Sequence, residues 1–258
     1  MTTWDPEQYL RYHDERSRPF GELVARIGAT RPGHVVDLGC GTAELTATLL
    51  DRWPGALVEG VDSSQEMISA AAAPDGADRL RLTLCDAREW LPGRPVDVLL
   101  SNAMLQWLPE HVDLLGRWVG SLAPGAWLAF QVPGNDRSPS HVILKELCRS
   151  PRWRERVGDT VRNTRVLEPE GYLERLAGLG CSVDAWETTY LHVLAGPDPV
   201  LEWVKGSALR PVLDRLTEAE ERDAFLAEYA AHLRAAYPAH PYGTVLPFRR
   251  LFVVARRP

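Results

Sequence analysis

The chain has 258 residues, of which 29 are Lys or Arg and 35 are Asp or Glu, so its formal net charge is −6. A hydrophobic fraction of 45% is ordinary for a soluble globular protein, and the length suffices for one sizeable core or two modest ones. No basic run is long enough to predict a nucleic-acid surface, and no apolar run has the length of a membrane span. We therefore expect neither nucleic acid nor membrane as a partner.

The amino-terminal residues Met-Thr-Thr-Trp-Asp-Pro lack the basic start and apolar stretch of a signal peptide. The four cysteines lie far apart and show no metal-ligand spacing, which predicts reduced thiols and no metal site. These two features predict a cytoplasmic protein. Neither of them indicates an oligomeric state.

The first half of the chain alternates between strand and helix patterns. Helical spacing covers 7–28, and Pro19 could open a second helix there. Strands are predicted at 34–38, 57–62, 80–85, 96–101 and 126–132, and helices at 43–52, 64–73 and 111–122. Ser63 with Glu66 predicts a capping box for the second of these helices. Alternation of this kind predicts a doubly wound α/β sheet.

The second half is more helical. Helices are predicted near 139–149 and 169–178, then at 198–209 and 217–237, the last with a capping box of Thr217 and Glu220. A polar, arginine-rich stretch covers 150–166, a long strand covers 182–194, and a final strand covers 247–255. The segments that follow the parallel strands should meet at one edge of the sheet, where ligands bind in such folds.

The segment Val35–Glu44 is the most informative part of the chain. It reads as a short apolar strand, a glycine turn and the start of a helix. Gly39 and Gly41 let the backbone approach a ligand closely because they carry no Cβ atom. A second strand, 56–61, ends on Asp62, whose carboxylate can accept both hydroxyls of a ribose. The pattern predicts a cofactor that contains a nucleoside.

Two cofactor classes fit this pattern. A dinucleotide such as NAD requires a third glycine so that the helix packs closely beneath a pyrophosphate, and that position is Glu44 here. Glu44 and Asp37 would repel a pyrophosphate, whereas S-adenosylmethionine carries an ammonium and a sulfonium that acidic residues favour. A dinucleotide and a glycine turn without any ligand remain the alternatives.

Several segments resemble class I S-adenosylmethionine-dependent methyltransferases. Val35–Glu44 is similar to their first motif, Asp62 to their ribose-binding acid, Cys85–Arg88 to the segment that holds the adenine, and Ser101–Trp107 to the segment after the fourth strand. More specifically, the chain resembles the trans-aconitate 2-methyltransferase family at Trp4–Pro6, Tyr9, Glu15–Pro19, Leu105–Pro109, Glu187–Tyr190, Leu209–Pro211 and Pro247–Phe252. Thr42 and Ala43 replace a Pro-Gly pair of the usual turn, and Ala43 is small enough to preserve close approach.

The resemblance implies a fold and a division of the chain. The fold is α/β: a Rossmann-like class I methyltransferase with a seven-stranded, mostly parallel sheet, an antiparallel last strand and a helical cap. Residues 1–30 would form helices over the cofactor, 31–195 and 246–258 the core, with a flap near 134–166, and 196–245 the cap insert.

The resemblance also implies S-adenosylmethionine as the cofactor, S-adenosylhomocysteine as its product, and no metal. The implied cofactor-binding residues are Arg16, Asp37, Gly39, Cys40, Gly41, Asp62, Ser63, Asp86, Ala87, Asn102, Ala103 and Gln106. Arg16 is assigned to the methionine carboxylate, with a salt bridge to Glu15 or Glu22 as the alternative.

The implied substrate is trans-aconitate or a similar small polycarboxylate, converted to a methyl ester. A carboxylate is ionised at neutral pH and needs no base, so we expect no catalytic acid or base. His111, expected early in a surface helix, and His192 are the nearest base candidates. The alternatives are another small molecule or secondary metabolite as substrate, a cofactor-binding module without catalysis, and an NAD-dependent oxidoreductase.

A buried polyanion requires cations, and arginine binds carboxylates through its planar fork. Arg249 and Arg250 are neighbours on a strand, so at most one of them should enter the pocket, and we choose Arg249. Arg137 in the flap is a further candidate. The predicted substrate-binding residues are Trp107, Tyr190, His192, Arg210 and Arg249.

Overall fold

The structure, a computed structural model, describes residues 13–71, 78–158, 160 and 165–258, with side chains from Ser17 onward. The part of the predicted helical region 7–28 that precedes His13, including Tyr9, lies outside these residues. None of the helices in the described ranges is both long and apolar enough to cross a membrane.

Helices within the described residues are numbered in chain order. They are α1 His13–Arg26, α2 Glu44–Ala47, α3 Leu49–Arg52, α4 Gln65–Ala70, α5 His111–Ser121, α6 Pro139–Arg149, α7 Arg154–Val157, α8 Pro169–Ala177, α9 Pro199–Lys205, α10 Arg210–Leu213 and α11 Ala219–Ala236. A 3₁₀ turn covers Leu105–Trp107.

The strands form one mixed sheet. They are β1 His34–Leu38, β2 Leu57–Asp62, β3 Leu80–Leu84, β4 Val96–Asn102, β5 Leu122–Pro133, β6 Ser182–Leu194, β7 Ala239–His240 and β8 Gly243–Arg256. The order is β3-β2-β1-β4-β5-β8-β6, and the short β7 pairs with β8. Strands β1 to β5 pair in parallel, and β8 pairs with β5 antiparallel. The predicted fold class is therefore confirmed, with β7 as an additional two-residue strand.

Burial explains why the central strands form. Every residue of β1 is buried, and β4 carries an almost continuous buried run, as expected for parallel strands covered on both faces. Val35 pairs with Val58 on one side and with Val98 on the other, which fixes the register of three neighbouring strands. This register brings the carboxyl ends of β1, β2 and β4 to one edge of the sheet.

The chain divides into two compact units. Within the described residues, the sheet unit comprises 13–133, 165–188 and 250–258, and the helical unit comprises 134–158, 160 and 189–249. The sheet unit has a core that includes Leu99, Trp118 and Phe130. In the helical unit, Trp153 and Phe225 pack edge to face, with ring centroids 5.2 Å apart. The predicted division into core, flap and cap stays a prediction.

Two predicted helix starts were wrong. Ser64, not Ser63, caps α4: its hydroxyl accepts a hydrogen bond from the Met67 amide at 3.2 Å. The reason is Asp62, which accepts from the Ser64 amide at 2.9 Å and holds Ser64 in an extended conformation. Residue Glu218, rather than Thr217, precedes α11 and makes no side-chain cap bond.

In two predicted helical regions, the structure differs from the prediction in whether the helix is interrupted. Helix α1 runs through Pro19 instead of restarting there, and Phe20 and Leu23 beyond the proline are buried and anchor it. The predicted helix 43–52 is split into α2 and α3 at Thr48. The Thr48 hydroxyl donates to the Leu45 carbonyl at 2.6 Å, a local bond that competes with the helical pattern.

Candidate functional site

The glycine turn after β1 is held against the end of β2. The amides of Gly39 and Cys40 both donate to the Val61 carbonyl, at 2.7 and 3.1 Å. Gly39 has φ +81°, and a Cβ atom there would collide with the side chain of Met104. Gly41 has φ +57°, but a Cβ atom there would meet no atom within 4 Å. Packing thus requires the first glycine, whereas the second leaves open space for a ligand.

Asp62 lies half-buried at the end of β2 and organises the loops on both sides. One carboxylate oxygen accepts from the Gly41 amide at 2.9 Å, and the other accepts from the Ser64 amide at 2.9 Å. A carboxylate has about four lone-pair positions, so each oxygen keeps capacity for one more donor. This geometry suits the pair of ribose hydroxyls predicted for Asp62.

Asp37 is a buried carboxyl group on β1 beneath the turn. One oxygen accepts a hydrogen bond from the Thr46 hydroxyl at 2.6 Å, and the other has no hydrogen-bond partner among the described residues. Burial raises the pKa of Asp37 to about 7, the negative charge of Asp62 raises it further in the same direction, and the Thr46 bond opposes the shift. A cation close to this group would favour its ionised form.

Two more buried acceptors lie at the end of β4 and in the 3₁₀ turn after it. The side-chain carbonyl oxygens of Asn102 and Gln106 have no hydrogen-bond partner among the described residues. Ala103 between them has φ +54°, and its amide donates to the Gln131 carbonyl at 2.9 Å. The Gln106 amide group donates to the Ala103 carbonyl at 2.5 Å, which fixes its orientation. A buried acceptor without a partner costs about 1–3 kcal/mol, so these oxygens indicate a missing donor.

These observations test the predicted cofactor. The orphaned atoms of Asp37, Asn102 and Gln106 are acceptor oxygens, and the turn of residues 39–44 contains no Lys or Arg. Such a set fits the ammonium donor and positive sulfur of S-adenosylmethionine. The pyrophosphate of a dinucleotide would instead meet carboxylates without any cation in the turn.

The structure gives less information about the remaining predicted cofactor-binding residues. Asp86 is engaged by Arg88, whose guanidinium donates to both carboxylate oxygens, and this pairing lowers the pKa of Asp86. Ala87 is buried in the core of the sheet unit, and Ser63 is exposed. Arg16 lies in α1, but its side chain is outside the described residues. Their contacts with a cofactor stay predictions.

A cavity of about 590 Å³ lies within the helical unit. It is lined by the loop that follows β5, by the end of α11 and by the first half of β8, and both Arg137 and Arg249 contribute to its wall. None of the described residues that line it is Asp or Glu. A cavity with two guanidinium groups and no carboxylate is suited to an anion.

Successive side chains of a strand point to opposite faces, so the two neighbouring arginines of β8 have different surroundings. Arg249 lines the cavity, whereas Arg250 is buried and donates to the Gln131 side-chain oxygen at 3.0 Å. That at most one of them enters the substrate pocket stays a prediction. The substrate role of Arg249 itself stays a prediction.

Tyr190 and His192 do not contribute to this cavity wall; Thr189, on the opposite face of β6, does. His192 stacks on Trp203 with ring centroids 4.8 Å apart, and Tyr190 stacks beside His192 at 6.1 Å. Both are buried in an aromatic cluster that also includes Phe248. Their predicted contact with a substrate is not tested by this packing.

Two other predicted substrate residues, Arg210 and Trp107, do not line the cavity. Arg210 begins α10, and its buried Nε has no hydrogen-bond acceptor among the described residues. Trp107 is half-buried at the end of the 3₁₀ turn in the sheet unit. Their substrate roles also stay predictions.

The expectation of a surface position for His111 was wrong. His111 is fully buried at the start of α5, where its ring nitrogens pair with the Leu108 carbonyl at 2.7 Å and the Tyr172 hydroxyl at 2.8 Å. Burial lowers its pKa. Both ring nitrogens are thus engaged in structural bonds, because α8 packs Tyr172 against this helix start.

Sequence reasoning gave no individual role to four residues that shape these sites, although two of them lie in the segment Ser101–Trp107 that resembles the family. Met104 packs on Gly39, Thr46 bonds Asp37, the Ser101 hydroxyl donates to the Leu38 carbonyl at 2.7 Å, and Asn135 bonds the backbone of Arg249. Ser101 could have been found, because a hydroxyl within a buried parallel strand requires a partner. The other three contacts join segments whose distance in sequence gives no local signal.

Comparison with known proteins supports the reading of the glycine turn. Residues 35–125 match a family model described as a methyltransferase domain. The trans-aconitate 2-methyltransferase of Streptomyces avermitilis is 51% identical over 264 residues, which covers 100% of this chain and 98% of the relative. The enzyme of the same name from Mycobacterium tuberculosis is 49% identical, covering 98% of this chain and 96% of the relative.

Solved structures share the fold at low identity. A phosphoethanolamine N-methyltransferase of Haemonchus contortus, in complex with S-adenosylhomocysteine, has a TM-score of 0.56 at 17% identity, covering 93% of this chain and 52% of that one. The [4+2]-cyclase SpnF has a TM-score of 0.57 at 16% identity, covering 94% and 81%. Because one of these proteins is a cyclase, this likeness speaks to the fold alone.

Proposed function

The chain belongs to the trans-aconitate 2-methyltransferase family, and from this premise we propose that it transfers a methyl group from S-adenosylmethionine to a carboxylate oxygen of trans-aconitate. The family membership rests on about half the residues being identical over nearly the whole length of both chains. The product is a methyl ester of the tricarboxylate, which carries one negative charge less than the substrate.

One observation carries the proposal: the chain has buried acceptors without a partner among the described residues, and it has a cavity whose described wall holds two arginines and no carboxylate. Asp37, Asn102 and Gln106 supply oxygens that suit a cationic methyl donor. Arg249 and Arg137 line a cavity whose described wall holds no carboxylate. A cationic donor and an anionic acceptor are the two reactants of carboxylate methylation.

Several groups of the chain would hold the cofactor. The Asp62 carboxylate, fixed by two backbone amides, is placed to accept ribose hydroxyls, and the open space above Gly41 admits the ligand close to the backbone. The Asp37 carboxylate, ionised when a cation lies nearby, would balance the positive charge of the methionine part.

The chemistry requires positioning and electrostatics, not proton transfer. When bound, S-adenosylmethionine would supply a methyl group from a positively charged sulfur: the oxygen–carbon bond forms as the sulfur–carbon bond breaks, and the bonding electrons stay on the sulfur of S-adenosylhomocysteine. No proton is gained or lost, so the protein needs no general base. The reaction requires in-line approach of the carboxylate oxygen and exclusion of water, and the arginines would bind the anion.

The experiment is incubation of the protein with methyl-labelled S-adenosylmethionine and a panel of di- and tricarboxylic acids, followed by mass spectrometry. We expect a labelled monomethyl ester of trans-aconitate, formed in equal amount with S-adenosylhomocysteine. Labelling of a different small molecule, with no ester from any acid in the panel, would indicate another methyl acceptor. Cofactor binding without any transfer would indicate a module without catalysis.

We also propose that the chain acts in the cytoplasm on its small-molecule substrate without nucleic acid or membrane as a partner. Its four cysteines, all within the described residues, are free thiols, which suits a reducing compartment. Fractionation of cells that produce the protein, with the methyl-transfer assay on each fraction, would test this placement.

A further inference from the structure

Asn135 fixes the strand position that carries Arg249. Its side-chain oxygen accepts from the Arg249 amide at 2.9 Å, and its side-chain nitrogen donates to the Arg249 carbonyl at 3.0 Å. The Gly134 amide donates to the same carbonyl at 3.0 Å. A buried amide side chain thus continues the ladder of hydrogen bonds where the β5–β8 pairing ends. Three hydrogen bonds from residues 134 and 135 therefore hold the backbone of Arg249.

Arg137 is a second cation of the same cavity. It lies two residues after Asn135, is exposed, and has no ion pair or hydrogen bond from its guanidinium to any described residue. The acid next to it in sequence, Asp136, pairs with Lys145 at 3.7 Å. The positive charge of Arg137 is thus not neutralised by its acidic neighbour.

Tyr237 adds a polar group to the wall. Its hydroxyl oxygen accepts from the Ser140 amide at 3.0 Å, while the Ser140 carbonyl accepts from the Tyr229 hydroxyl at 2.8 Å. The two tyrosines of α11 and its end thereby hold the first turn of α6 in place. The bond from Ser140 uses the Tyr237 oxygen as acceptor, so it does not engage the hydroxyl hydrogen.

Building on the function proposed above, we propose that this cavity is the carboxylate-recognition subsite, with Arg137 as a second substrate-binding residue beside Arg249 and Asn135 as the positioning residue of Arg249. The volume of about 590 Å³ lies within the range of small-molecule sites. Two arginines on one cavity wall match a ligand with more than one carboxylate, because each guanidinium group can bind one carboxylate bidentately. This selects for polycarboxylates over monocarboxylates.

The test of Arg137 compares Arg137→Gln with Arg215→Gln, an exposed arginine of the helical unit that does not line the cavity. We expect Arg137→Gln to raise KM for trans-aconitate by about tenfold to a hundredfold with kcat and S-adenosylhomocysteine affinity little changed. Arg215→Gln should leave all three quantities at the wild-type values. A KM within twofold of wild type for Arg137→Gln, or an equal rise in both variants, would overturn the assignment.

The test of Asn135 is a double-mutant cycle with Arg249→Gln. Asn135→Ala alone should raise KM, and it should add little in a chain that already carries Arg249→Gln, because the guanidinium it positions is gone. Fully additive effects on KM would contradict the positioning role. If Asn135→Ala does not fold, the Arg137→Gln comparison decides the subsite by itself.

Failure of the subsite and failure of the proposed function are distinguishable by direct binding. Calorimetric titration of trans-aconitate into the protein saturated with S-adenosylhomocysteine needs no turnover. If wild type turns trans-aconitate over but Arg137→Gln binds it equally well, the subsite is wrong and the function stands. If wild type binds trans-aconitate through Arg137 yet produces no ester, the function is wrong and the subsite stands.

Discussion

At the scale of single residues, Gly39 and Gly41 differ in the space that the turn leaves for a Cβ atom. Gly39→Ala places a Cβ atom against Met104 at a positive φ, so we expect a loss of several kcal/mol or failure to fold. Gly41→Ala meets only open space, so its cost should be about 1–2 kcal/mol of left-handed strain. Yet the added methyl group occupies the space that we assign to the cofactor. We expect the affinity of the Gly41→Ala protein for S-adenosylhomocysteine to fall at least about tenfold.

Thermal unfolding and calorimetric titration of the two variants, each beside wild type, measure both quantities. The informative variant is Gly41→Ala, because it should remain folded. Unchanged affinity in a folded Gly41→Ala protein would show that the ligand does not approach this part of the backbone.

Asp37 makes stability depend on pH in a defined direction. Its pKa is about 7 in the folded protein and near 3.8 in the unfolded chain, so the folded state binds the extra proton between these values. The stabilisation is fully present below about pH 4 and is lost as pH rises through about 7. Asp37→Asn keeps the shape of the group and should flatten this dependence.

The measurement is the melting temperature of the protein without cofactor from pH 5 to pH 8, compared between wild type and Asp37→Asn. We expect the difference, wild type minus variant, to become more negative as pH rises. A difference that stays constant, or that moves in the opposite direction, would refute the raised pKa of Asp37. Other titrating groups cancel in the comparison.

At the scale of elements, β8 carries two neighbouring arginines to which we give different roles, fold stability for Arg250 and substrate binding for Arg249. Arg250→Ala should destabilise the fold by about 1–3 kcal/mol, because Arg250 is buried and its loss leaves the Gln131 oxygen without this donor. Arg249→Gln should change stability little and raise KM for trans-aconitate instead. Denaturant unfolding together with steady-state kinetics of both variants separates the stability role from the substrate-binding role. A stability loss confined to Arg249→Gln would contradict this assignment.

Elements built from local patterns could be predicted from the sequence, and elements shaped by distant contacts could not. Strands β1, β2 and β6 have the predicted limits, because continuous apolar runs and strict alternation are local signals. The start of α4 was missed by one residue because the Asp62 carboxylate, not the local capping pattern, decides which serine caps the helix. Asn135 gave no signal, since its partner Arg249 lies 114 positions away.

At the scale of the whole molecule, cofactor binding should stabilise the fold. A ligand that binds only the folded chain adds RT ln(1 + [L]/Kd), or about 2.7 kcal/mol when its concentration is a hundredfold above Kd. We therefore expect S-adenosylhomocysteine to raise the melting temperature and NAD to leave it unchanged. A rise with NAD alone would favour the dinucleotide alternative, and Asp62→Asn should reduce the rise with S-adenosylhomocysteine.

The cofactor site was more predictable from the sequence than the anion cavity, because its residues lie at the ends of neighbouring strands. Gly39, Gly41 and Asp62 follow consecutive strands, so sequence order and sheet topology together indicate that they meet. The cavity of Arg137 and Arg249 draws its wall from three separate regions of the helical unit, which no periodicity links. Arg210 illustrates the consequence: its charge was predicted from sequence, but nothing local indicated whether it would share a wall with Arg249.

The most direct test is a crystal structure of the protein with S-adenosylhomocysteine and trans-aconitate bound together. The account predicts the ribose hydroxyls on the Asp62 carboxylate, the ligand's amino group beside Asp37 or the Asn102 and Gln106 oxygens, and carboxylates of trans-aconitate on Arg249 and Arg137. Density for S-adenosylhomocysteine away from the Gly39–Gly41 turn, or a trans-aconitate molecule that touches neither arginine, would contradict it.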